Sequence, residues 1–346
     1  MYKNILITAL LNLGDLILVT SAVDLIKKNF PDTKVTLLVH SFLKDAVENN
    51  SVVDDVIGFE YKSGETSFSA MRKMIGEIKR RNFDLAISLD RKPRTAILLF
   101  MSGIKRRVEP SKVLGDKKNR VTVLYTDIVK ITHDLEKTLQ AETYQEIMRK
   151  FFNIEGHGEP KFPQKNSPFA DKLFANFSPD KLKIALCVKG TFPLKTYPKE
   201  YFAEVVKTLR EKYSAEFFIV GAKGDKDYSD EVISEIGGGV LNLCGETSLT
   251  DLAEILRRAD LLITVDTGAA HIAATTKIKM VVMYGCTSPE RWHPINQNAV
   301  VLTSKENCCP CKFKPEDCPT YPKPNCLYNL KPEKVIAAAE KFLQKK

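Results

Sequence analysis

The feature that most constrains this chain is an alternation of strands and helices that runs once, breaks, and runs again. In the first half, short runs ("KNILITAL" at 3–10, "KVTLLVH" at 34–40, "DDVIGFE" at 54–60, "FDLAISLD" at 83–90, "KRRVE" at 105–109) read as strands, the first and fourth of them buried. Between them lie segments of helical periodicity: "TSAVDLIKKNFP" closed by Pro31, "FSAMRKMIGEIKRRN", and "RTAILLFMSG". From about residue 152 to 181 the pattern gives way to Pro, Gly and polar residues, "EGHGEPKFPQKNSPF" and "NFSPDK". A second alternation follows, with strands "KIALCVKG", "EFFIVGA", "VLNLCG", "LLITVD" and "MVVMYG" separated by helical segments, and "KPEKVIAAAEKFLQ" closing the chain as a helix. Such alternation implies parallel sheets with helices on both faces. The expected fold class is therefore α/β, two doubly wound, Rossmann-like domains facing one another across a cleft. The boundaries are 1–160 for the first domain, 181–330 for the second, and 331–346 for a terminal helix.

A length of 346 residues suits two domains of ordinary size. The net charge of +9 favours anionic partners. Lys and Arg are scattered without a nucleic-acid motif, so a phosphorylated small molecule is preferred to nucleic acid. Asn12, Gly14 and Asp15 interrupt the apolar start, so a buried first strand and helix start is expected there rather than a signal peptide, and no segment is apolar for long enough to span a bilayer. A cytoplasmic protein is expected.

The most informative block is "LLITVDTGAAHIAATT". A buried strand ends at Val265, a helix of small residues starts near Ala269, and Asp266-Thr267-Gly268 lies between. The free amides and positive end of a helix N-terminus suit a phosphate, and ligands of open α/β folds gather where strands end. Gly268 allows close approach, and His271 stands in the first turn. Asp266 or Thr267 capping the helix is the plainer role for this triplet, compatible with the other. No Walker loop or G-x-G-x-x-G occurs. In "KGTFPLKTYPKEYF", Lys195 sits in a loop after a strand, within reach of an anion at neighbouring strand ends. "VGAKGD" supplies a third such loop, with Asp225 and Asp227 as hydroxyl acceptors. In "NLGDLILVT", Asp15 is a carboxylate between two apolar runs, a placement that demands a partner, a cap or a task.

Together these blocks resemble the ADP-heptose:lipopolysaccharide heptosyltransferases, glycosyltransferase family nine. The resemblance runs in order over nearly the whole chain: "GDLILVTSAVDLIKKNFPDTKVTLLV", "FDLAISLD", "LKTYP", "VGAKGDKD", "CGETSLTDLAEILRRADLLITVDTGAAHIAA" and "VVMYGCTSPERWHP". It implies a GT-B architecture with the nucleotide sugar in the C-terminal domain, and an inverting transfer that uses no metal and no cofactor. It assigns Asp15 as the general base that deprotonates the acceptor hydroxyl, and Lys195 as the cation that steadies the diphosphate. Asp266, Thr267, Gly268 and His271 match the donor diphosphate and sugar site, Thr191 a phosphate-contacting hydroxyl, and Asp225 (or Asp227) a ribose acceptor. Three departures stand out: Thr20-Ser21 where the family has Thr-Pro, Tyr197 where Trp is usual, and Gly190 in place of a hydroxyl residue.

The implied partners are an ADP-sugar donor and an anionic, lipid-linked oligosaccharide acceptor. For the acceptor, the basic loops "DRKPR", "KRR" and "DKKNR" nominate Arg91, Arg94, Arg106 and Arg107, with Lys92, Lys117, Lys118 and Arg120 nearby. The same charge suits peripheral association with the inner face of an anionic membrane. Of eight cysteines, five crowd "CCPCKFKPEDCPTYPKPNC", where Cys308, Cys311, Cys318 and Cys326 offer four thiolates to a structural metal, the other reading being free thiols or disulfides. A transferase with another nucleotide sugar, a sugar-nucleotide epimerase, and a non-enzymatic nucleotide-sugar-binding protein are the competing functions.

Overall fold

Strand β1 (Asn4–Thr8) is buried on both faces, which is why its sequence is an unbroken apolar run rather than an alternating one. A computed structural model describes residues 2–60, 67–115, 121–311 and 314–344. The chain divides into two compact units, 1–163 and 164–346.

In unit 1, β1 is followed by α1 (Leu13–Asn29), β2 (Lys34–His40), β3 (Asp55–Phe59), α2 (Ser67–Arg80), β4 (Leu85–Ser88), α3 (Pro93–Met101), β5 (Arg106–Pro110), β6 (Asp127–Val129) and α4 (Gln140–Phe152). All strands are parallel, in the order β3-β2-β1-β4-β5-β6. Helices α1 and α4 pack together, as do α2 and α3. Helix α1 is buried from Asp15 to Ile26 because the 158–161 segment covers its remaining side. A Cβ on Gly158 would stand 1.9 Å from the Ser21 carbonyl oxygen, so only glycine permits this approach. The polar residues of α1 serve that contact: Thr20 Oγ1 accepts from Lys161 N at 2.8 Å, and Asp24 accepts from Glu159 N at 2.8 Å. Ser21 donates to Leu18 O and accepts from Gln145 Nε2.

Unit 2 comprises α5 (Pro168–Ala175), β7 (Leu182–Cys187), α6 (Lys199–Lys212), β8 (Ala215–Ile219), α7 (Lys226–Ile236), β9 (Val240–Asn242), α8 (Leu249–Arg258), β10 (Leu261–Val265), α9 (Gly268–Thr276), β11 (Met280–Tyr284), α10 (Pro289–Trp292), β12 (Ala299–Thr303), α11 (Asn325–Tyr328) and α12 (Pro332–Leu343). Its sheet, β12-β11-β10-β7-β8-β9, repeats the order of the first. The expected fold class, α/β with a doubly wound sheet in each half, is what the structure shows. The chain divides later than 160, and α5 occupies part of the supposed linker. The terminal helix is not a separate body: Val335, Ile336, Ala339 and Leu343 of α12 belong to the same core as Val205 and Leu209 of α6.

Candidate functional site

In both sheets the strand order reverses between the first and fourth strands, at β1/β4 and at β7/β10, and the crevice beyond the carboxyl ends of such strands is where ligands bind. In unit 1 the chain leaves β1 through Ala9–Asn12 into α1, and leaves β4 through Asp90 into α3. These two loops are tied together. The buried Asp90 carboxylate accepts from Leu10 N (3.4 Å), Lys92 N (3.2 Å) and Thr95 Oγ1 (3.1 Å), while Lys92 Nζ donates to Leu10 O at 2.9 Å. Burial raises the Asp90 pKa above the usual carboxylate range, with the hydrogen bonds opposing.

Asp15 stands in the first turn of α1 and is 9% exposed. It does not cap the helix: Asn12 holds the N-cap position, without a side-chain cap bond. Its partner is Tyr144, a fully buried residue of α4, whose hydroxyl donates to Asp15 Oδ1 at 2.8 Å. A hydrogen bond to the charged form holds a carboxylate ionised and fixes its direction. Sequence reasoning missed Tyr144. The periodicity of "QAETYQEIMRKFF" marks a helix, but no local pattern tells that position 144 meets position 15.

The basic residues nominated for the acceptor do not assemble in one place. Arg94, at the start of α3, lies on the Asp15 edge, near enough to His40 that its charge and that of Lys92 add to burial in lowering the His40 pKa. Arg91 has a φ of +48° and turns toward β5, with Nε 3.8 Å from the buried Glu109 carboxylate and Nη1 donating to Gly115 O. Arg106 and Arg107 open β5 and so occupy the opposite edge of the sheet. Arg106 pairs with Asp127 at 2.6 Å, and Arg107 donates to Leu124 O and Ile104 O. The structure therefore places Arg106 and Arg107 away from Asp15, because parallel strands put their first residues at the edge remote from the connecting loops. Lys117, Lys118 and Arg120 lie outside the described residues.

In unit 2, β10 ends and α9 begins at Asp266-Thr267-Gly268. Neither Asp266 nor Thr267 makes the expected cap: Thr267 holds the N-cap position without a side-chain cap bond. The buried Asp266 carboxylate instead takes Lys195 Nζ at 2.7 Å and Thr287 Oγ1 at 2.6 Å. Three strand-end loops thus converge, after β7 (Lys195), β10 (Asp266) and β11 (Thr287). Asp266 keeps the ammonium beside the amides of the α9 N-terminus, and Lys195 in turn neutralises a carboxylate that would otherwise repel a phosphate. Gly190 is sterically required: a Cβ there would lie 2.5 Å from Lys195 Cβ and 2.8 Å from its carbonyl oxygen. Tyr197 is fully buried and donates to Leu330 O at 2.6 Å.

His271 is buried in the first turn of α9, and its Nδ1 has no hydrogen-bond partner among the described residues. Burial lowers its pKa to about 4, with Lys195 lowering it further and Asp266 opposing. It is a neutral donor or acceptor at physiological pH. Asp225, in the 223–225 turn after β8, accepts from Ala222 N at 2.9 Å and lies 3.4 Å from Lys189 Nζ, whereas Asp227 is exposed on α7. Thr191 is exposed on the Lys195 loop. The four cysteines offered to a metal do not make a site. Among the described residues no three His, Cys, Asp or Glu side chains converge to hold an ion. Cys308 is exposed and Cys326 buried, and the latter faces Cys309.

The family model for glycosyltransferase family 9 (heptosyltransferase) matches residues 71–321, well over half of the chain. Lipooligosaccharide heptosyltransferase 2 of Campylobacter jejuni is 28% identical over 95% of this chain and 96% of its own. Among solved structures, a family 9 glycosyl transferase of Veillonella parvula superposes with a TM-score of 0.84 at 21% identity, covering 100% of this chain and 98% of that one. E. coli ADP-heptose LPS heptosyltransferase II does so with a TM-score of 0.76 at 18% identity, covering 99% of each chain.

Proposed function

The chain belongs to glycosyltransferase family 9, and from that membership and the site geometry we propose that it transfers a heptose, or a closely related sugar, from an ADP-sugar to a hydroxyl of a lipopolysaccharide-type core acceptor, with inversion. The observation that carries this reading is the group Lys195–Asp266–Thr287 at the N-terminus of α9. It joins a half-buried, oriented ammonium to a helix N-terminus at a topological switch point, which is what a diphosphate leaving group needs. Thr191, Thr267, Gly268 and His271 complete the donor site, and Asp225 takes the ribose hydroxyls.

The chemistry is a single displacement. The acceptor oxygen attacks the anomeric carbon, its proton passes to Asp15, and the bond from that carbon to the diphosphate oxygen breaks with its electron pair leaving on ADP. One displacement inverts the anomeric centre. General-base assistance contributes roughly 10²–10⁴ in rate. Lys195 and the α9 amides meet the charge that grows on the departing diphosphate, the part a divalent cation plays in other transferases. Arg94 and Lys92, on the Asp15 edge of unit 1, suit a carboxylate or phosphate of the acceptor.

Calorimetric titration of the purified protein with ADP, UDP, GDP and CDP, each with chelator present, tests the donor assignment. Selective, chelator-resistant ADP binding supports it. Preference for another base would remove the ADP-sugar while leaving a transferase, and binding of no nucleotide would overturn the reading.

A further inference from the structure

Unit 1 covers the α2/α3 face of its sheet with a helix that is apolar on both sides. Ala96, Leu98 and Leu99 of α3 face the core with Ile78 and Leu6. Yet Ile97, Phe100 and Met101 of the same helix are 44%, 49% and 56% exposed, and their spacing of three and four residues makes them one outward stripe. Val123, 87% exposed, projects from the 122–124 turn that packs against α3, and Phe68, 79% exposed, opens the neighbouring α2. Large apolar side chains clustered on one face, rather than scattered, mark an interaction surface.

Among the described residues, the charges on this face are mostly of one sign. Helix α3, "PRTAILLFM", contains no acidic residue. Lys105 and Arg107 follow it, the Arg107 guanidinium lying 5.4 Å over the Phe100 ring. Helix α2 exposes Arg72, Lys79 and Arg80, and its one acid, Glu77, is paired with Arg81 at 2.9 Å.

We propose that the α2/α3 face of unit 1 docks on an anionic lipid bilayer. Ile97, Phe100, Met101 and Val123 enter the boundary between headgroups and acyl chains, while Lys105, Arg107, Arg72 and Lys79 meet lipid phosphates. Apolar side chains ringed by cations are the pattern of interfacial membrane binding, where each Lys or Arg near an anionic surface adds about 1 kcal/mol. A second copy of the chain is a poorer occupant, because a two-fold contact through this face would set two cationic rims against each other. The assignment stands apart from the transferase reading, although a lipid-linked acceptor gives such docking a purpose.

The test is flotation of the full chain with vesicles of phosphatidylcholine alone and of phosphatidylcholine mixed with phosphatidylglycerol, followed at rising salt. The wild type is expected to float with the anionic vesicles and to be released by salt. The triple variant Ile97→Ser/Phe100→Ser/Met101→Ser is expected to lose partitioning by about tenfold or more, with its Tm and nucleotide binding kept. A charge variant, Lys105→Glu/Arg107→Glu, keeps the apolar stripe and is expected to lose the preference for anionic vesicles. Vesicle binding unchanged in the triple variant, no flotation of the wild type, or a concentration-dependent dimer abolished by the triple variant would each overturn the proposal. None of these outcomes bears on nucleotide selectivity, so the two readings fail separately.

Discussion

Replacing Tyr144 by phenylalanine removes one oxygen from a fully buried ring and leaves its packing in place, which makes it the sharpest probe of Asp15. The hydroxyl donates to Asp15 Oδ1 at 2.8 Å, and hydrogen bonds to a charged group contribute about 1.5–3 kcal/mol net. That bond favours the carboxylate over the carboxylic acid, so losing it disfavours the ionised form by that amount. A general base works only when ionised. The acid limb of kcat/KM for the acceptor, followed by ADP release, is therefore expected to move to higher pH in Tyr144→Phe. On the alkaline plateau the loss is expected to be modest, roughly tenfold at most, because the carboxylate is still present. An unmoved acid limb would refute the argument: Tyr144 would then be only a packing residue, or Asp15 not the base.

Three further outcomes follow from unit 2. Lys195→Met strands the buried Asp266 carboxylate with Thr287 as its remaining donor, at a cost of about 3 kcal/mol, and Lys195→Met/Asp266→Asn restores much of the Tm but not the turnover; a single variant as stable as wild type would deny that the pair is structural. Gly190→Ala pushes a methyl against the Lys195 backbone, and overpacking of about 1–3 kcal/mol at that loop weakens ADP-sugar binding about 10- to 100-fold; unchanged donor affinity in calorimetry would contradict the fit. His271 has a native pKa of about 4 against an unfolded value near 6.5, so between those values the unfolded chain binds the extra proton and stability is lost as pH falls. Relative to His271→Asn, the wild type is expected to lose about 3 kcal/mol across that window in chemical denaturation, and parallel curves for the two proteins would deny a buried neutral histidine.

Much of the fold was legible because both central sheets are buried on two faces, so strands such as Leu261–Val265 and Met280–Tyr284 appear as apolar runs that need no context. Strand β6, three residues long at the edge of its sheet, and β12, only half-buried, carry no such signal. Helix α4 was legible in principle from Ala141, Tyr144, Ile147 and Met148 on one side, but the Tyr144–Asp15 bond spans 129 residues and belongs to packing. The loops that carry Asp266, Lys195 and Thr191 are legible because each follows a strand. The same rule, applied to Arg106 and Arg107, would have put them at the wrong edge, since they begin a strand instead of following one. Asp266 illustrates a subtler limit: sequence identifies an acid before a helix, and only the side chains of two other loops reveal that it holds Lys195 rather than capping α9.

The central claim, a base in unit 1 and a donor site in unit 2, is tested most directly by Asp15→Asn, measured for donor affinity by calorimetry and for sugar transfer by product mass. The account predicts ADP-sugar binding within about twofold of wild type and transfer reduced by about 10²-fold or more. Transfer at the wild-type rate would contradict it outright, and loss of donor binding together with transfer would move Asp15 from the chemistry to the architecture of the protein.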